Sequence, residues 1–193
     1  MAKITGVLLA AGASQRYGAN KLTETLEDEE LVLHSVRALE PCDRIIAVVR
    51  KGANELQALL QDNGVETVVN GEPWRGMGSS IACGVNASRD SGGWGILPAD
   101  MPRVAPATTA LVVSALRSGA ELAAPYYLNQ RGHPVGFSKV FAPQLVALAS
   151  DVGARHILEQ HQNKVRRVHI DDAGVLQDVD TELDLAMLEP EHA

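Results

Sequence analysis

Ile4-Thr5-Gly6-Val7-Leu8-Leu9-Ala10-Ala11-Gly12-Ala13-Ser14-Gln15-Arg16-Tyr17-Gly18-Ala19-Asn20-Lys21 runs from an apolar segment straight into a loop carrying Gly12, Gly18, Arg16 and Lys21. The order predicts a buried strand followed by a turn whose backbone N–H groups can approach a ligand without interference from Cβ atoms. Arg16 and Lys21 add fixed positive charge, so the loop reads as a phosphate cradle. A glycine-rich turn with no ligand is the alternative at this point. It is not a Walker A loop, because Lys21 precedes Leu22 and no Gly-Lys-Ser/Thr is present. Nor does it match the dinucleotide fingerprint G-x-G-x-x-G.

Downstream, Leu31, Val32, Ser35, Val36 and Leu39 repeat at helical spacing up to Pro41. Arg44 to Arg50 is a β-rich run of the kind buried on both faces, and a helix with Leu56, Leu59 and Leu60 stops at Gly64. Val65 to Val69 gives a third strand, so the pattern is βαβαβ, which predicts parallel strands and an α/β fold.

The loop Asn70 to Ser80 enters a helix through Ile81, Cys83, Gly84 and Val85, with Ser79 and Ser80 read as its N-caps. Trp94 to Leu97 is a strand ending at Pro98-Ala99-Asp100-Met101-Pro102. Ligands in open α/β sheets bind beyond the carboxyl ends of strands, which is where Asp100 falls. Pro106 to Ser118 reads as a helix closed by Gly119. Leu122 to Pro125 is a strand, and Arg131-Gly132-His133-Pro134 is a turn into another. Leu145 to Leu148 and His156 to Leu158 belong to helices, Arg166 to Ile170 is a strand, and Glu182 to Leu188 is a last short helix.

With 193 residues, 46% hydrophobic and 4% aromatic, the chain is expected to form one domain spanning 1–193 around a Val, Leu, Ile and Ala core. The net charge of −7 argues against a nucleic-acid or anionic-membrane binder, so an anionic ligand must be held by local charge. Cys42 and Cys83 are too few for a disulfide framework or a cysteine zinc site and are expected to be reduced, buried thiols in a cytoplasmic protein. The N-terminal apolar run is too short, with a single-lysine leader, to be read as a signal peptide, and no stretch suits a membrane helix.

Leu9-Ala10-Ala11-Gly12 with Ser14, Arg16, Gly18 and Lys21 resembles the signature of the MobA-like nucleotidyltransferases. Further blocks of that family follow in order: Asn70 with Trp74, Gly76 to Ile81 with Gly84, Leu97 to Pro102, Arg131 to Pro134 with Phe137, Gly153-Ala154-Arg155, and Asp178-Val179-Asp180-Thr181. Within the family the chain looks most like the MocA-type molybdenum cofactor cytidylyltransferases. Relatives using GTP usually carry Leu-Ala-Gly-Gly where this chain has Leu-Ala-Ala-Gly, and the methyl of Ala11 is expected to narrow the base pocket toward a pyrimidine. Two departures stand out: Glu27-Asp28-Glu29-Glu30 replaces a Gly-containing turn, adding negative charge near the anion site, and Tyr17 stands where methionine is common.

The resemblance implies a three-layer Rossmann-like nucleotidyltransferase fold with a mostly parallel sheet, CTP and Mg²⁺, and (Mo-)molybdopterin, a phosphorylated pterin cofactor, as acceptor. A transient contact with a molybdoenzyme or its chaperone goes with that role. In the reaction implied, an acceptor phosphate oxygen attacks the α-phosphorus and pyrophosphate leaves, so positioning and charge neutralisation dominate and no protein nucleophile is needed. Leu9, Ala10, Ala11 and Gly12 would line the nucleotide, Arg16 would hold the β/γ phosphates, and Lys21 the α-phosphate. Asp100 would bind metal or form a turn, and Asp180 would be a second ligand or an N-cap. Ser80 would bond the cytosine or ribose or cap a helix, Gly84 belongs to the same nucleotide block, and Asn70 would orient the base or make a turn. On the acceptor side stand Arg131, Gly132, His133, Pro134 and Arg155, the arginines being otherwise surface residues. Alternatives are a MobA-like guanylyltransferase, a sugar- or polyol-phosphate cytidylyltransferase, an NAD(P)H-dependent oxidoreductase on the same scaffold, and a non-catalytic carrier of the cofactor.

Overall fold

A computed structural model describes residues 2–12, 21–151 and 153–188. Ser14, Arg16, Tyr17 and Gly18 of the cradle lie outside the described residues. In chain order the elements are β1 (Ile4–Ala10), β2 (Thr25–Leu26), β3 (Glu29–Glu30), α1 (Leu31–Ala38), β4 (Arg44–Arg50), α2 (Asn54–Asp62), β5 (Glu66–Asn70), α3 (Met77–Ala87), β6 (Gly93–Pro98) and α4 (Pro106–Arg117). They continue with β7 (Leu122–Tyr127), β8 (Gln130–Arg131), β9 (Val135–Ser138), α5 (Ala142–Val146), α6 (Arg155–Gln160), β10 (Val165–His169) and α7 (Glu182–Leu188).

The main sheet runs β5-β4-β1-β6-β9-β7-β10, with β8 folded back on β7 and β2-β3 a separate hairpin. β1 pairs in parallel with β4 and β6, as do β4 with β5 and β7 with β10. Only β9 and β8 run antiparallel in this sheet. The parallel strands therefore bring their carboxyl ends to one rim, and β9, running the other way, begins there. That inversion delivers Arg131 to Pro134 to the edge where Gly12, Arg50, Asn70 and Asp100 emerge.

The continuous apolar runs of β1 and β4 reflect burial on both sheet faces. Leu8, Ala10, Ala47 and Val49 face α1 and α2 through Leu31, Val32, Leu56 and Leu60. The alternate residues Val7 and Val48 join Trp94, Ile96, Ile81, Val85 and Leu145 under α3 and α5. Helices on both faces make the three-layer, mostly parallel architecture expected from the sequence.

Four local expectations change. The strand read from Val65 begins at Glu66, and Ser79 and Ser80 do not cap α3. The helix starts at Met77 with Gly76 as its N-cap at φ 84°, and Ser79 Oγ donates back to Gly76 O at 2.8 Å. Gly76 is needed there because a Cβ would lie 2.0 Å from Asp151 Oδ1. In the acidic run 27–30, Glu27 and Asp28 form the β2-β3 turn at φ 53° and 65°, and Glu29–Glu30 is β3 itself. The run's charge is met locally: Glu27 accepts from Arg103 at 2.7 Å, and Glu29 pairs with Arg37. Cys42 and Cys83 are free but only partly buried. Burial pushes the Cys42 thiol up to about 12 and raises that of Cys83. Among the described residues no helix is long and apolar enough to cross a membrane.

Gly84 lies inside α3 against the sheet, where an added Cβ would meet Val7 Cγ1 at 2.5 Å and Val48 Cγ2 at 3.0 Å. It is thus packed against β1 and β4 and lines none of the three cavities described below. Replacing Gly84 by Ala is expected to lower the stability by about 1–3 kcal/mol despite the better helix propensity of alanine. Urea denaturation of the two proteins checks this.

Candidate active site

Three cavities with shared lining residues follow the rim. The first, about 580 Å³, is lined by Leu9, Ala11, Gly12 and Ser80 with Arg50, Trp74, Met77 and Asp151. The second, about 190 Å³, adds Arg131, His133, Ala154 and Arg155 to Leu9 and Met77. The third, about 420 Å³, is bounded by Asp100, Asp178, Asp180, Arg131 and His133, again with Met77. Met77 touches all three, and Arg131 and His133 join the last two.

Lys21 is the charged centre of this rim. Its side chain is 10% exposed, and Nζ donates to Asp100 Oδ2 at 2.7 Å, to Val179 O at 2.6 Å and to Asp180 Oδ1 at 3.4 Å. An ammonium has three N–H donors, so this set is matched one for one. Val179 N donates to Asp100 O at 2.9 Å, and Ala99 O accepts from the buried Ser35 hydroxyl at 2.9 Å, so the strand end bearing Asp100 is fixed by backbone as well as charge. Asp178 lies alongside, its carboxyl held above the usual range by burial first and then by the negative charges of Asp100 and Asp180.

The two readings of Asp180 separate here. Asp184 Oδ2 accepts from Thr181 N at 2.7 Å and from Asp180 N at 3.0 Å, while Thr181 Oγ1 accepts from Asp184 N at 3.2 Å. Thr181 and Asp184 thus form the reciprocal cap of α7, leaving the Asp180 carboxylate directed at Lys21.

Of the residues expected to meet the nucleotide, Leu9, Ala11, Gly12 and Ser80 line the first cavity, but Asn70 does not. Asn70 Nδ2 donates to the hydroxyls of Ser79 at 2.9 Å and Ser80 at 3.1 Å, and its Oδ1 accepts from Glu72 N at 2.9 Å. Asn70 holds Ser80 and closes the turn after β5, the turn-forming reading of the two given for it. Ala10 is buried in the core.

On the acceptor side, Gly132 is packed against Val175 and donates to Pro125 O at 2.9 Å, and Pro134 is buried after a cis His133–Pro134 bond. His133 faces the cleft with Nδ1 3.5 Å from Ile96 O, and burial outweighs that carbonyl to push its pKa below 6.5. Arg131 has no carboxylate partner among the described residues, whereas Arg155 pairs with Glu159 at 2.8 Å.

The cleft lies at the carboxyl ends of parallel strands, and residues 6–165 of the chain match the model of the MobA-like NTP transferase domain. The chain belongs to the MobA-like NTP transferase family. It is 30% identical over 192 residues to the purine catabolism protein PucB of Bacillus subtilis and 28% identical over 188 residues to nicotine blue oxidoreductase of Paenarthrobacter nicotinovorans, each alignment covering 92% of both chains. Among solved structures, Rv0371c of Mycobacterium tuberculosis superposes with TM-score 0.86 at 27% identity over 97% of both chains. That protein has also been crystallised as a manganese complex, which matches this chain with TM-score 0.81 at 25% identity.

This MobA-like transferase also exposes cleft residues not singled out as site residues from the sequence: Arg50, Trp74, Met77, Asp151 and Asp178. Arg50 ends an apolar strand and Asp151 lies in an unpatterned loop, so neither carried a signal. Trp74, Met77 and Asp178 stood inside the quoted blocks.

Two outcomes test this geometry. Lys21→Met removes the cation from two carboxylates and a carbonyl and is expected to cost about 1–3 kcal/mol, whereas Asp180→Asn, at a side chain 46% exposed, is expected to cost less than about 1 kcal/mol. Denaturant midpoints at neutral pH measure both. Because the folded pKa of His133 is depressed, the unfolded chain binds the extra proton as pH falls below 6.5, so stability drops with acidification toward the folded pKa. His133→Asn is expected to flatten that part of the stability–pH curve while leaving the curve above pH 7 parallel to wild type.

Proposed function

We propose that this chain transfers CMP from CTP to the phosphate of molybdopterin or Mo-molybdopterin and releases pyrophosphate, with Mg²⁺ as cofactor. The observation that carries the reading is the Lys21 ammonium clasped by Asp100 and Asp180, the two carboxylates lining the cavity of His133, which shares Met77 with the cavity of Ala11. Such a cluster offers paired hard oxygen ligands for a small divalent cation, and Lys21, whose three N–H donors are matched within the cluster, would exchange a carboxylate for a phosphate oxygen when nucleotide and metal bind. The donor set suits Mg²⁺: Asp100 and Asp180 offer hard carboxylate oxygens side by side, and the helix cap is made by Thr181 and Asp184. Asp100 and Asp180 would hold the ion, with phosphate and water oxygens completing its shell. The ion supplies neutralisation of the phosphate charge.

Gly12 and Ala11 form the floor under the nucleotide, and Ser80, set by Asn70, offers its hydroxyl to the base or ribose. Arg16, outside the described residues, takes the β/γ phosphates in this reading, and Lys21 the α-phosphate. Arg131, His133 and Arg155 receive the acceptor. An acceptor phosphate oxygen bonds to the α-phosphorus as the bond to the pyrophosphate oxygen breaks, with no proton to remove from the attacking oxygen. A neutral His133 serves there as a hydrogen-bonding group without adding repulsive or attractive charge. The product would pass to a molybdoenzyme or its chaperone in the cytoplasm.

The likeness to nicotine blue oxidoreductase favours one second reading, NAD(P)H-dependent reduction of a heterocycle. Against it, the loop after β1 has neither the G-x-G-x-x-G spacing nor the matching acidic residue about 20 positions on.

A panel of CTP, GTP, UTP and ATP with Mg²⁺ and molybdopterin, followed by product mass, is expected to show CMP transfer and pyrophosphate release. Equal turnover with GTP overturns the CTP assignment, and metal-independent NAD(P)H oxidation supports the second reading. Asp100→Ala is expected to lose roughly 10²–10³-fold in turnover. Ala11→Gly is expected to narrow CTP over GTP discrimination; an unchanged ratio places base choice elsewhere.

A further inference from the structure

Trp74 is 75% exposed although it lies in the short 3₁₀ turn Pro73–Arg75 and lines the cavity of Ala11 and Ser80. Met77 beside it is 45% exposed. A tryptophan left largely in water on a concave wall gains from a ligand that covers its ring. The same cavity holds the side chains of Arg50 and Asp151, and neither has a hydrogen-bond or ion-pair partner among the described residues. By contrast, Arg37, Arg44, Arg75, Arg103, Arg117 and Arg155 each meet a carboxylate. An arginine left without a carboxylate in a chain of net charge −7 is a donor set awaiting acceptors, and Asp151 is an acceptor set awaiting donors.

We propose that Trp74 is the stacking platform for the nucleobase, and that Arg50 and Asp151 select a base carrying both an oxo and an amino group. The inference rests on the nucleotidyltransferase reading above and adds to it the residues that recognise the base. Stacking on an aromatic face is tolerant of base identity, so discrimination must come from the polar pair. Arg50 donates to a ring carbonyl and Asp151 accepts from an exocyclic amine, the pairing that cytosine and guanine offer. Adenine lacks the carbonyl, and uracil lacks the amine. Size, through the Ala11 methyl, then separates the pyrimidine from the purine.

The chain has two tryptophans, which gives a direct readout. Trp94 is fully buried with Nε1 donating to Ser88 Oγ at 2.9 Å, so a ligand in the cleft acts on the emission of Trp74. Titration of the intact protein with CTP and Mg²⁺, without acceptor, is expected to change tryptophan emission saturably, with the Kd matching calorimetry. UTP and ATP should bind roughly tenfold or more weakly. Trp74→Ala should abolish the emission change and weaken CTP binding roughly tenfold, with Trp74→Phe restoring most of the affinity. Asp151→Asn should reduce the preference for CTP over UTP, and Arg50→Met the preference for CTP over ATP.

Calorimetric CTP binding with unchanged emission, or with unchanged affinity in Trp74→Ala, overturns the platform. An unaltered CTP/UTP ratio in Asp151→Asn together with an unaltered CTP/ATP ratio in Arg50→Met overturns the base-reading pair. Absence of binding by every triphosphate to the folded wild-type protein defeats the nucleotidyltransferase reading itself, a result distinct from either of these.

Discussion

The site hangs on one buried ammonium. Lys21 follows the cradle loop, Asp100 ends a central strand and Val179–Asp180 belongs to the last segment before α7, yet all three meet at Lys21 Nζ within 3.4 Å. A lysine with so little solvent access is tolerable only because each N–H has an acceptor and the charge has two counter-charges. The requirement acts in both directions: the carboxylates hold the loop's end on the sheet rim, and the cation holds two carboxylates together that would otherwise repel. The 2.9 Å bond from Val179 N to Asp100 O fixes the same crossing in the backbone, so losing one side chain leaves the chain path in place.

The layers were legible because hydrophobic period and punctuation agreed. β4 spans Arg44 to Arg50 and α7 spans Glu182 to Leu188, the bounds expected from composition alone, and Gly119 follows α4 with φ +89°. The direction of β9 was not legible, because an apolar run after a turn reads the same whichever way it enters a sheet. The start of α3 was misread for a similar reason. Two serines at a helix entrance look like caps, but Gly76, with Asp151 pressed against it, moves the boundary up to Met77 and turns the serines inward toward Asn70.

Within the site, sequence order picked residues that the fold gathers and some that it uses otherwise. Asp100, Asp180, Lys21, Ser80, Arg131 and His133 line or anchor the cleft, whereas Gly84 is spent on helix–sheet contact and Asn70 on holding serines. What sequence blocks register is that a residue type recurs; they do not separate a side chain touching ligand from one supporting its neighbour. Arg50 and Asp151 show the converse. Each is a single charged residue in an unremarkable setting, and only the shared cavity and the lack of partners bring them together.

Charge placement then explains how an acidic protein can host an anion. The net charge of −7 would repel a triphosphate at long range, but at physiological salt such a field is screened beyond about 8 Å, leaving the local arrangement to decide. Around the cleft the arrangement is graded: Arg50 lies at the cavity lined by Ala11, Lys21 is at the carboxylate cluster, and Arg131 borders both remaining cavities. The acidic turn at 27–30, which the sequence set near the anion site, is instead occupied by Arg103 and Arg37. The ion pairs of Glu27 and Glu29 pin a turn with two positive-φ residues, so they neutralise part of the acidic run and help to offset the cost of that backbone.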